Sequence, residues 1–383
     1  MKKAFFFAAL LAVAATFTAC SSSGTPKDDK TNLWPAMDAN GKMYGYIDSK
    51  GTMAIPAMYE RTAQFSCGYG RATLAGNYYF LNKSGKTADG APNLSDGCDP
   101  YFYYNCLGYC VNGKWGMLDN SFKTIIQPAY DWLGYMSADG LVAARQGEKD
   151  KYCYLNKKGE TAIAANFDDA DSFYDGVAAV QIGDKYGAID TKGQYVINAT
   201  YDALWSIGEG RLAFVDAKAE KRGMMDNTGI IIVQPIYDRI GNFADNGLCP
   251  VEQNEKYGYI NKSGELKIAC QYEYASPFYE GYAWIQRTET SKYELIDVNG
   301  NNVLTLSANE VPYSVFHNGL CLITNYSSDD VTVYKYIDIK GTMIYTWSIK
   351  YDYDAPARMQ NGIRVNEAEM FAATQYGPLF NRK

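Results

Sequence analysis

A single histidine, His317, limits the catalytic chemistry that this sequence could support. A Ser-His-Asp or Cys-His nucleophilic device would have to use its imidazole as the base. His317 lies in the segment FHNGL, two residues before a glycine, in a stretch typical of a turn. One histidine also argues against multi-histidine metal centres. We therefore predict a surface turn residue at this position, and we expect no catalytic residue, no bound metal ion and no cofactor.

Carboxylates are numerous, and a suitably spaced pair could hydrolyse a glycosidic bond. Most of them recur at equivalent places along the chain, which indicates a structural role in each copy. The recurring residues are Asp48, Asp119, Asp190, Asp226, Asp297 and Asp338 in one motif, and Asp131, Asp202 and Asp238 in another. The run DDAD at 168–171 could coordinate calcium, but it lacks the spaced Asp/Asn-Gly order of the known calcium loop. A solvated turn is the favoured interpretation of this run.

The cysteines divide into one candidate pair and a structural set. Cys98 and Cys106 lie in an irregular stretch, where a disulfide could staple a loop in an oxidising compartment. The others stand where equivalent copies carry alanine or glycine, so they are predicted to be small buried apolar residues. These are Cys110, Cys153, Cys249, Cys270 and Cys321. Cys106-x-x-x-Cys110 has no second pair and no nearby histidine, and a zinc site is not expected.

The sequence contains 34 tyrosines. Exposed aromatic rings on a rigid β surface can stack on sugars or anchor a protein partner. Most of the tyrosines belong to recurring motifs and are predicted to pack between copies. The aromatic residues outside those motifs could form a binding surface: Tyr101, Phe102, Tyr103, Tyr104, Trp132, Trp205, Trp284 and Trp347. The alternative interpretation places the cluster at 101–104 in the core.

A recurring motif predicts the elements that would position these residues. KYGYINKSG at 256–264 is one copy, with Tyr or Trp, then Gly, then an Asx-x-x-Gly turn. The Asx residue recurs at intervals of 34 to 41 residues: Asp48, Asn82, Asp119, Asn156, Asp190, Asp226, Asn261, Asp297 and Asp338. A second motif follows, as in QPIYD at 234–238, and a third opens with Phe and Gly, as in FYDGVAAV at 173–180. Aromatic and β-branched residues favour strands, and Asx-x-x-Gly favours a tight turn, so each copy is predicted to form a β-hairpin.

These three motifs, in one fixed order from about residue 33 to 365, resemble the bacterial WG-repeat family. The resemblance implies interaction modules without a defined activity. The pattern predicts an all-β fold of about nine tandem hairpin repeats of about 36 residues. Because one hairpin cannot bury its own apolar face, neighbouring copies must stack. A propeller-like arrangement and an open β-repeat array both satisfy this requirement, with a β-solenoid or superhelical ladder as the alternative.

The N-terminal residues are expected to lie outside this fold. Lys2 and Lys3 precede the apolar run AFFFAALLAVAA, which suits a secretory signal and is too short to span a membrane. FTAC at 17–20 resembles the lipobox of bacterial lipoproteins, which implies lipidation of Cys20. We expect a signal peptide at 1–19, a lipidated cysteine and flexible tether at 20–32, and a repeat domain at 33–383. Ordinary secretion with cleavage nearby is the alternative.

Charge and symmetry limit the function classes. A net charge of −7 argues against nucleic acid, which needs a basic protein face. Ser21 follows the lipobox cysteine, and this favours the outer membrane, on its periplasmic or its external side. No cluster of reactive residues breaks the repeat symmetry, so we expect a non-enzymatic binding or scaffold lipoprotein with an unknown protein partner, held to the membrane by its lipid alone. A carbohydrate-binding lipoprotein that uses exposed Tyr and Trp is the alternative, and a hydrolase is less favoured.

Overall fold

The computed structural model describes residues 32–350, except 92, 93, 95, 96, 217, 219, 289, 329 and 330. This part of the chain consists of strands and turns. No helix in it is long and apolar enough to cross a membrane. The predicted signal peptide, Cys20 and almost the whole tether lie outside the described residues.

The strands are short, and most contain five to seven residues. In chain order they are β1 (Leu33–Met37), β2 (Tyr44–Asp48), β3 (Met53–Tyr59), β4 (Arg61–Thr62), β5 (Gly70–Leu74), β6 (Asn77–Leu81), β7 (Cys106–Val111), β8 (Lys114–Asp119), β9 (Thr124–Tyr130), β10 (Trp132–Leu133), β11 (Leu141–Arg145), β12 (Tyr152–Asn156), β13 (Thr161–Phe167), β14 (Asp169–Ala170), β15 (Val177–Ile182), β16 (Lys185–Asp190) and β17 (Tyr195–Tyr201). They continue with β18 (Leu204–Gly208), β19 (Arg211–Asp216), β20 (Lys221–Asp226), β21 (Ile231–Tyr237), β22 (Arg239–Ile240), β23 (Leu248–Gln253), β24 (Lys256–Asn261), β25 (Leu266–Tyr272), β26 (Tyr274–Ala275), β27 (Tyr282–Gln286), β28 (Tyr293–Asp297), β29 (Asn302–Thr305), β30 (Glu310–Pro312), β31 (Cys321–Ser328), β32 (Val331–Ile337) and β33 (Met343–Lys350).

The described strands form nine antiparallel sheets, in each of which consecutive strands pair. Sheet β14–β17 contains the four kinds of strand: a short lead strand (β14), a second strand (β15), an anchor strand with the Tyr-Gly motif (β16) and a closing strand (β17). A four-stranded meander of this kind is the blade of a β-propeller. The predicted all-β, propeller-like repeat fold is therefore confirmed.

The turn between anchor and closing strands forms from local sequence. In β16–β17 the Oδ1 atom of Asp190 accepts hydrogen bonds from the backbone N–H groups of Lys192 and Gln194, each at 2.9 Å. Gly193 completes the turn with φ at +79°, a conformation that side chains with a Cβ resist. The predicted hairpin is thus specified within a few residues.

The glycine of the Tyr-Gly motif lies opposite a wide bulge. Tyr186 pairs with Tyr201 and Ala188 pairs with Ile197, so three residues of β17 face the single Gly187. A Cβ at Gly187 would lie 2.5 Å from the carbonyl oxygen of Ile197, so the closing strand would have to shift to admit a side chain there. The same bulged pairing occurs around the residues that occupy the equivalent position in other anchor strands: Gly45, Gly116, Cys153 and Gly223.

Two anchor strands carry a charged residue in place of this glycine, and their sheets lack the wide bulge. Glu294 stands at the equivalent place in β28 and pairs with Thr305, while the next residue pairs with Leu304. Lys335 stands there in β32 and pairs with Thr346 in a regular ladder. Among the anchor strands that the structure pairs with a closing strand, the wide bulge therefore accompanies glycine or, in β12, cysteine, and it is missing where Glu294 or Lys335 stands.

The chain divides into two compact units, of which the first contains the described residues of 27–91 and 272–381. Its sheets pack in the order β26–β29, β30–β33, β1–β3 and β4–β6, with an apolar cluster between each pair of neighbours. Trp34 of β1 lies in one cluster with Tyr336 and Trp347 of the last sheet. The two ends of the described chain thus share a core.

The second unit contains the described residues of 92–271. Sheets β7–β9, β10–β13, β14–β17, β18–β21 and β22–β25 follow one another in sequence order, again with an apolar cluster at each junction. Hydrogen bonds between neighbouring sheets also support the stacking. Asp175, in the turn before β15, accepts a hydrogen bond from the N–H of Gly210 in the next sheet at 2.7 Å.

Candidate functional site

The recurring aspartates of the second motif form ion pairs that hold neighbouring strands together. In four sheets of the second unit a lysine that opens the anchor strand forms an ion pair with the aspartate 17 residues later: Lys114–Asp131, Lys151–Asp168, Lys185–Asp202 and Lys221–Asp238. The hydrogen bond from Lys151 lowers the pKa of Asp168, and Lys221 does the same for Asp238. These carboxylates fasten the end of the closing strand to its own sheet, and a catalytic role is not needed to explain them.

The aspartates of the DDAD run at 168–171 have different partners in the structure. Asp168 belongs to the ion pair with Lys151 and also accepts the N–H of Gly183 at 2.8 Å. Asp169, on the lead strand β14, accepts the N–H of its neighbour Ala170 at 3.0 Å. Among residues 32–350 that are described, no group of three His, Cys, Asp or Glu side chains could hold a metal ion.

The aromatic residues predicted to form a binding surface are mostly packed, and this corrects the prediction. Phe102 is only 2% exposed and meets Phe122 edge to face, with ring centroids 5.7 Å apart. Tyr103 is buried against Tyr135 at 4.3 Å. Tyr101 is half-buried. The cluster at 101–104 therefore supplies packing to the irregular repeat of the second unit.

The remaining members of that predicted surface also serve the stacking of sheets. Tyr104 is half-buried against an apolar cluster. Half-buried Trp132 lies edge to face against Tyr152 at 5.2 Å, and half-buried Trp205 packs on another cluster. Trp284 and Trp347, in the first unit, are buried. The sequence could not distinguish these positions from exposed ones, because burial here depends on the neighbouring sheet.

The predicted disulfide is not formed, since Cys98 and Cys106 are both thiols in the structure. Cys98 pairs with Tyr109, three residues along β7 from Cys106. Three residues of strand extend about 10 Å, whereas bridged cysteines need Cα atoms within roughly 7 Å. The alternation of side chains also places positions 106 and 109 on opposite faces of β7. Cys249 and Cys321 are buried, as predicted for small apolar residues.

His317 is exposed in the turn that leads into the last described sheet, as the sequence predicts. Its backbone forms a bridge with Leu320, and its carbonyl oxygen accepts the indole N–H of Trp34 at 2.8 Å. Its ring nitrogen Nε2 lies 3.2 Å from the amide nitrogen of Asn318. The contacts of this segment are those of a structural turn.

A row of exposed apolar side chains follows the closing strands of the second unit. In three consecutive sheets, residues near the start of the closing strand face solvent, with Ile230 exposed to 65%, Leu266 to 47% and Tyr195 to 45%. We call this set, together with Ile236 near the end of β21, the apolar row; it consists of Tyr195, Val196, Ile230, Ile231, Ile236 and Leu266. Exposed apolar groups gathered in one place mark surfaces that bind another molecule.

Contacts between sheets place the turns that precede Ile230 and Leu266 against the neighbouring closing strands. A Cβ on the turn residue Gly229 would lie 3.2 Å from Ile197, the buried residue that follows Tyr195 and Val196 on β17. A Cβ on the next turn residue, Gly264, would lie 2.5 Å from Val233 of β21. Each turn thus rests on the closing strand of the preceding sheet. The starts of β17, β21 and β25, where exposed residues of the apolar row lie, therefore follow one another from sheet to sheet.

The apolar row was missed by sequence reasoning, although a signal for it exists. The segment GIIIVQPIY at 229–237 carries apolar residues on both alternating faces of its strand. In the corresponding strand β13, Thr161 and Ala162 stand at the exposed positions. A comparison of the solvent-facing positions of each closing strand would have revealed the excess of apolar residues in β21.

The comparison with protein families gives a match to the repeat named "WG containing repeat". Six segments match, and together they cover more than half of the chain: 44–78, 115–149, 152–186, 186–216, 223–257 and 257–288. Five of the six begin at or just before the anchor positions for which the structure gives the wide bulge. The sixth begins at Tyr257, before Gly258, where a Cβ would lie 2.5 Å from the carbonyl oxygen of Ile268.

Several solved structures are similar to this chain. One, described as the eukaryotic initiation factor, has a TM-score of 0.59 at 14% identity, over 84% of this chain and 96% of that chain. Dihydro-heme d1 dehydrogenase NirN has a TM-score of 0.43 at 11% identity, over 86% and 76%. Hsv2 of Kluyvelomyces marxianus has a TM-score of 0.39 at 8% identity, over 65% and 94%. Because the identity is only 14%, the similarity to the initiation factor concerns the fold alone. No curated protein matches.

Proposed function

We propose that this chain, which belongs to the WG-repeat family, is a non-enzymatic scaffold of the bacterial cell envelope that docks a protein partner. The apolar row carries the proposal. Proteins recognise one another through apolar side chains at the centre of a contact, surrounded by a polar rim. The apolar row has this composition, because polar residues such as Gln194, just before β17, and Lys267, on β25, flank it.

The recurring charged groups support a binding role over a catalytic one. The aspartates of both motifs are used by turns and ion pairs, as at Asp190 and Asp168. A catalytic centre requires groups that depart from the repeat and converge on one point. The apolar row instead extends over three sheets, which suits an extended protein contact.

The sequence supports attachment to the envelope through Cys20. The expected lipid on this cysteine would tether the repeat domain to the outer membrane through the polar residues 21–31. Metabolic labelling with an alkyne fatty acid tests the attachment, with Cys20→Ser as the matched variant. We expect label and membrane association in the wild type only. Equal labelling of both proteins would remove the lipid anchor from the proposal.

Cross-linking in cells, followed by affinity purification and mass spectrometry, tests the docking role. The test variant carries Ile230→Lys and Leu266→Lys, which place charges in the apolar row. The control carries Met58→Lys and Met343→Lys, at residues of the first unit that are 50% and 56% exposed. We expect the wild type and the control to recover one reproducible partner protein that the test variant loses.

Two outcomes would overturn this assignment. Equal recovery of the partner by the test variant would show that the apolar row is not the docking surface. Recovery of polysaccharide without a protein partner would favour the carbohydrate-binding alternative, in which exposed Tyr and Trp residues stack on sugars. Circular dichroism of all the variants checks that the substitutions leave the fold intact.

A further inference from the structure

One cross-strand position, where the first residue of a lead strand pairs with the second strand, carries charged residues in the second unit. In sheet β22–β25 the pair is Arg239 and Glu252, and their side chains form an ion pair at 3.0 Å. In sheet β10–β13 Arg145 pairs instead with Trp132, which has no charge. At this position the sheet therefore gives Arg145 no counter-ion.

The guanidinium of Arg145 lies against an aromatic ring. Its Cζ atom is 5.1 Å from the centroid of the Tyr152 ring, and Trp132 meets the same ring edge to face at 5.2 Å. The Nε atom of Arg145 is buried and has no hydrogen-bond partner in the described part of the chain. A buried guanidinium nitrogen without an acceptor is costly, so this position favours an anion.

The hydroxyl of Tyr152 is a second polar group without a partner. Tyr152 is only 8% exposed, yet its hydroxyl forms no hydrogen bond with a described residue. By contrast Tyr154, on the same strand, donates its hydroxyl to the carbonyl oxygen of Asp171 at 2.7 Å. A buried tyrosine hydroxyl usually has a partner. The hydroxyl of Tyr152 therefore indicates a place for a ligand group.

Asp169 brings the opposite charge to the same place from the next sheet. Ala170 of the lead strand β14 packs in one apolar cluster with Tyr152 and Trp132. The Oδ1 atom of Asp169 accepts the N–H of Ala170 at 3.0 Å, which holds the carboxylate beside this cluster. Asp169 pairs across strands with the uncharged Gln181 and forms no ion pair with a described residue. Two charges of opposite sign thus approach one another from neighbouring sheets.

Both charges act on the hydroxyl of Tyr152. Burial raises the pKa of Tyr152, the positive charge of Arg145 lowers this pKa, and the negative charge of Asp169 raises it. Arg145 and Asp169 nevertheless form no ion pair with each other. One molecule that carries both a carboxylate and an ammonium group could satisfy both residues.

We propose that Arg145, Tyr152 and Asp169 bind a free α-amino acid at the junction of sheets β10–β13 and β14–β17. The guanidinium of Arg145 donates to the carboxylate of the ligand, for which its planar fork is suited. The hydroxyl of Tyr152 donates to the same carboxylate, and Asp169 accepts from the ammonium group. With a hydrogen bond of about 3 Å at each end, an α-amino acid spans roughly 8–9 Å between the two charged residues.

This site goes beyond the docking role. None of its residues belongs to the apolar row, and its ligand is a small molecule. The half-buried ring of Trp132 provides an apolar surface for the side chain of the ligand. A ligand that binds only the folded protein raises its stability, so binding can be measured by melting.

Melting of the purified full chain with each standard α-amino acid, at about 10 mM, tests the proposal. We expect at least one of them to raise the melting temperature, and titration calorimetry to give a Kd below about 1 mM for it. Its N-acetyl derivative lacks the ammonium group and its amide lacks the carboxylate, so each should bind at least about tenfold more weakly. Equal binding of either derivative would overturn the proposal, as would the absence of any shift with all the amino acids.

Substitutions assign the binding to these residues. Arg145→Gln and Asp169→Asn should each weaken binding about tenfold, and Tyr152→Phe, which removes only the hydroxyl, at least about threefold. Arg239→Gln is the matched control, because this arginine has its own carboxylate, and it should leave the affinity unchanged. Circular dichroism checks the fold of each variant. Unchanged affinity in both Arg145→Gln and Tyr152→Phe would show that the amino acid binds elsewhere.

Discussion

The indole N–H of Trp34 donates a hydrogen bond to the carbonyl oxygen of His317 at 2.8 Å, across 283 residues of sequence. Trp34 lies on β1, and His317 lies in the turn before β31. Both belong to the first unit, and Trp34 is 1% exposed. The bond ties the beginning of the repeat domain to its last described sheet. It also gives the only histidine a structural role through its backbone.

Removal of the indole donor should weaken the first unit. Trp34→Phe keeps an apolar ring in the core but leaves the carbonyl oxygen of His317 without this donor, so we expect the free energy of unfolding to fall by about 1–3 kcal/mol. Urea unfolding measures the loss. His317→Ala is the control, because the bond uses only the backbone of this residue. A larger loss for His317→Ala than for Trp34→Phe would contradict this interpretation.

A methyl group at the motif glycine should disrupt its sheet. In Gly258→Ala the new Cβ would lie 2.7 Å from the backbone nitrogen of Cys270, and we expect a loss of about 3 kcal/mol, with a larger loss for Gly258→Val. Gly134→Ala is the control, since the equivalent position in sheet β4–β6 is Ala63, and it should change stability much less. Equal melting temperatures for Gly258→Ala and the wild type would argue against the wide bulge at this position.

Stability should fall in acid as the ion-paired aspartates take up protons. The hydrogen bonds from Lys151 and Lys221 hold the pKa values of Asp168 and Asp238 below the ordinary value of 3.8. A carboxylate with a lowered pKa in the folded state binds fewer protons than in the unfolded chain. Its contribution is therefore complete above the unfolded pKa and is lost as the pH falls through the folded value. We expect the melting temperature to decrease steadily from pH 5 to pH 2.5.

A double variant tests whether Asp168 and Asp238 cause this loss of stability in acid. Asp168→Asn with Asp238→Asn should lower the melting temperature at pH 7 and make the decrease towards pH 2.5 shallower. If the double variant shows the same pH profile as the wild type, other carboxylates cause the loss.

The buried thiols should resist alkylation in the folded protein. Burial raises the pKa of Cys321 to about 12 and also raises that of Cys249, so neither forms a reactive thiolate at pH 8. We expect peptide mapping after iodoacetamide treatment to find both unmodified, whereas unfolding in guanidinium exposes both to complete reaction. Rapid labelling of Cys321 under native conditions would show that its sheet opens readily.

The sequence allowed prediction of those features that depend on a few adjacent residues. The turn at Asp190 needs only its own side chain, two following N–H groups and Gly193. The recurrence of this turn then predicts the hairpins, and their apolar residues predict stacked sheets. For the same reason His317 could be assigned to a turn before its surroundings were known.

Features that depend on a second sheet were not predictable from local pattern. Phe102 and Tyr103 are aromatic residues in an irregular stretch, and only the contacts with Phe122 and Tyr135 show that they are buried. The disulfide prediction had the same weakness, since sequence separation does not reveal that Cys98 pairs at Tyr109.

The motif glycine is a recurring position whose structural reason could not be predicted from the sequence. The sequence showed that glycine recurs at positions such as Gly187 but indicated no reason for it. The actual reason is the approach of the Ile197 carbonyl oxygen from the bulged closing strand, which can be seen only once the pairing is known.

Each closing strand is the last strand of its sheet, with an edge that a strand from another molecule could extend. In the sheets with the wide bulge this edge is broken, and prolines such as Pro128 and Pro235 remove further donors. The edges of β29 and β33 lack that interruption, and β33 is eight residues long. The wide bulge should therefore also disfavour pairing of the bulged edges with a strand from another molecule. Among the described sheets, those with Glu294 and Lys335 in place of the motif glycine therefore have the closing strands that are most open to such pairing.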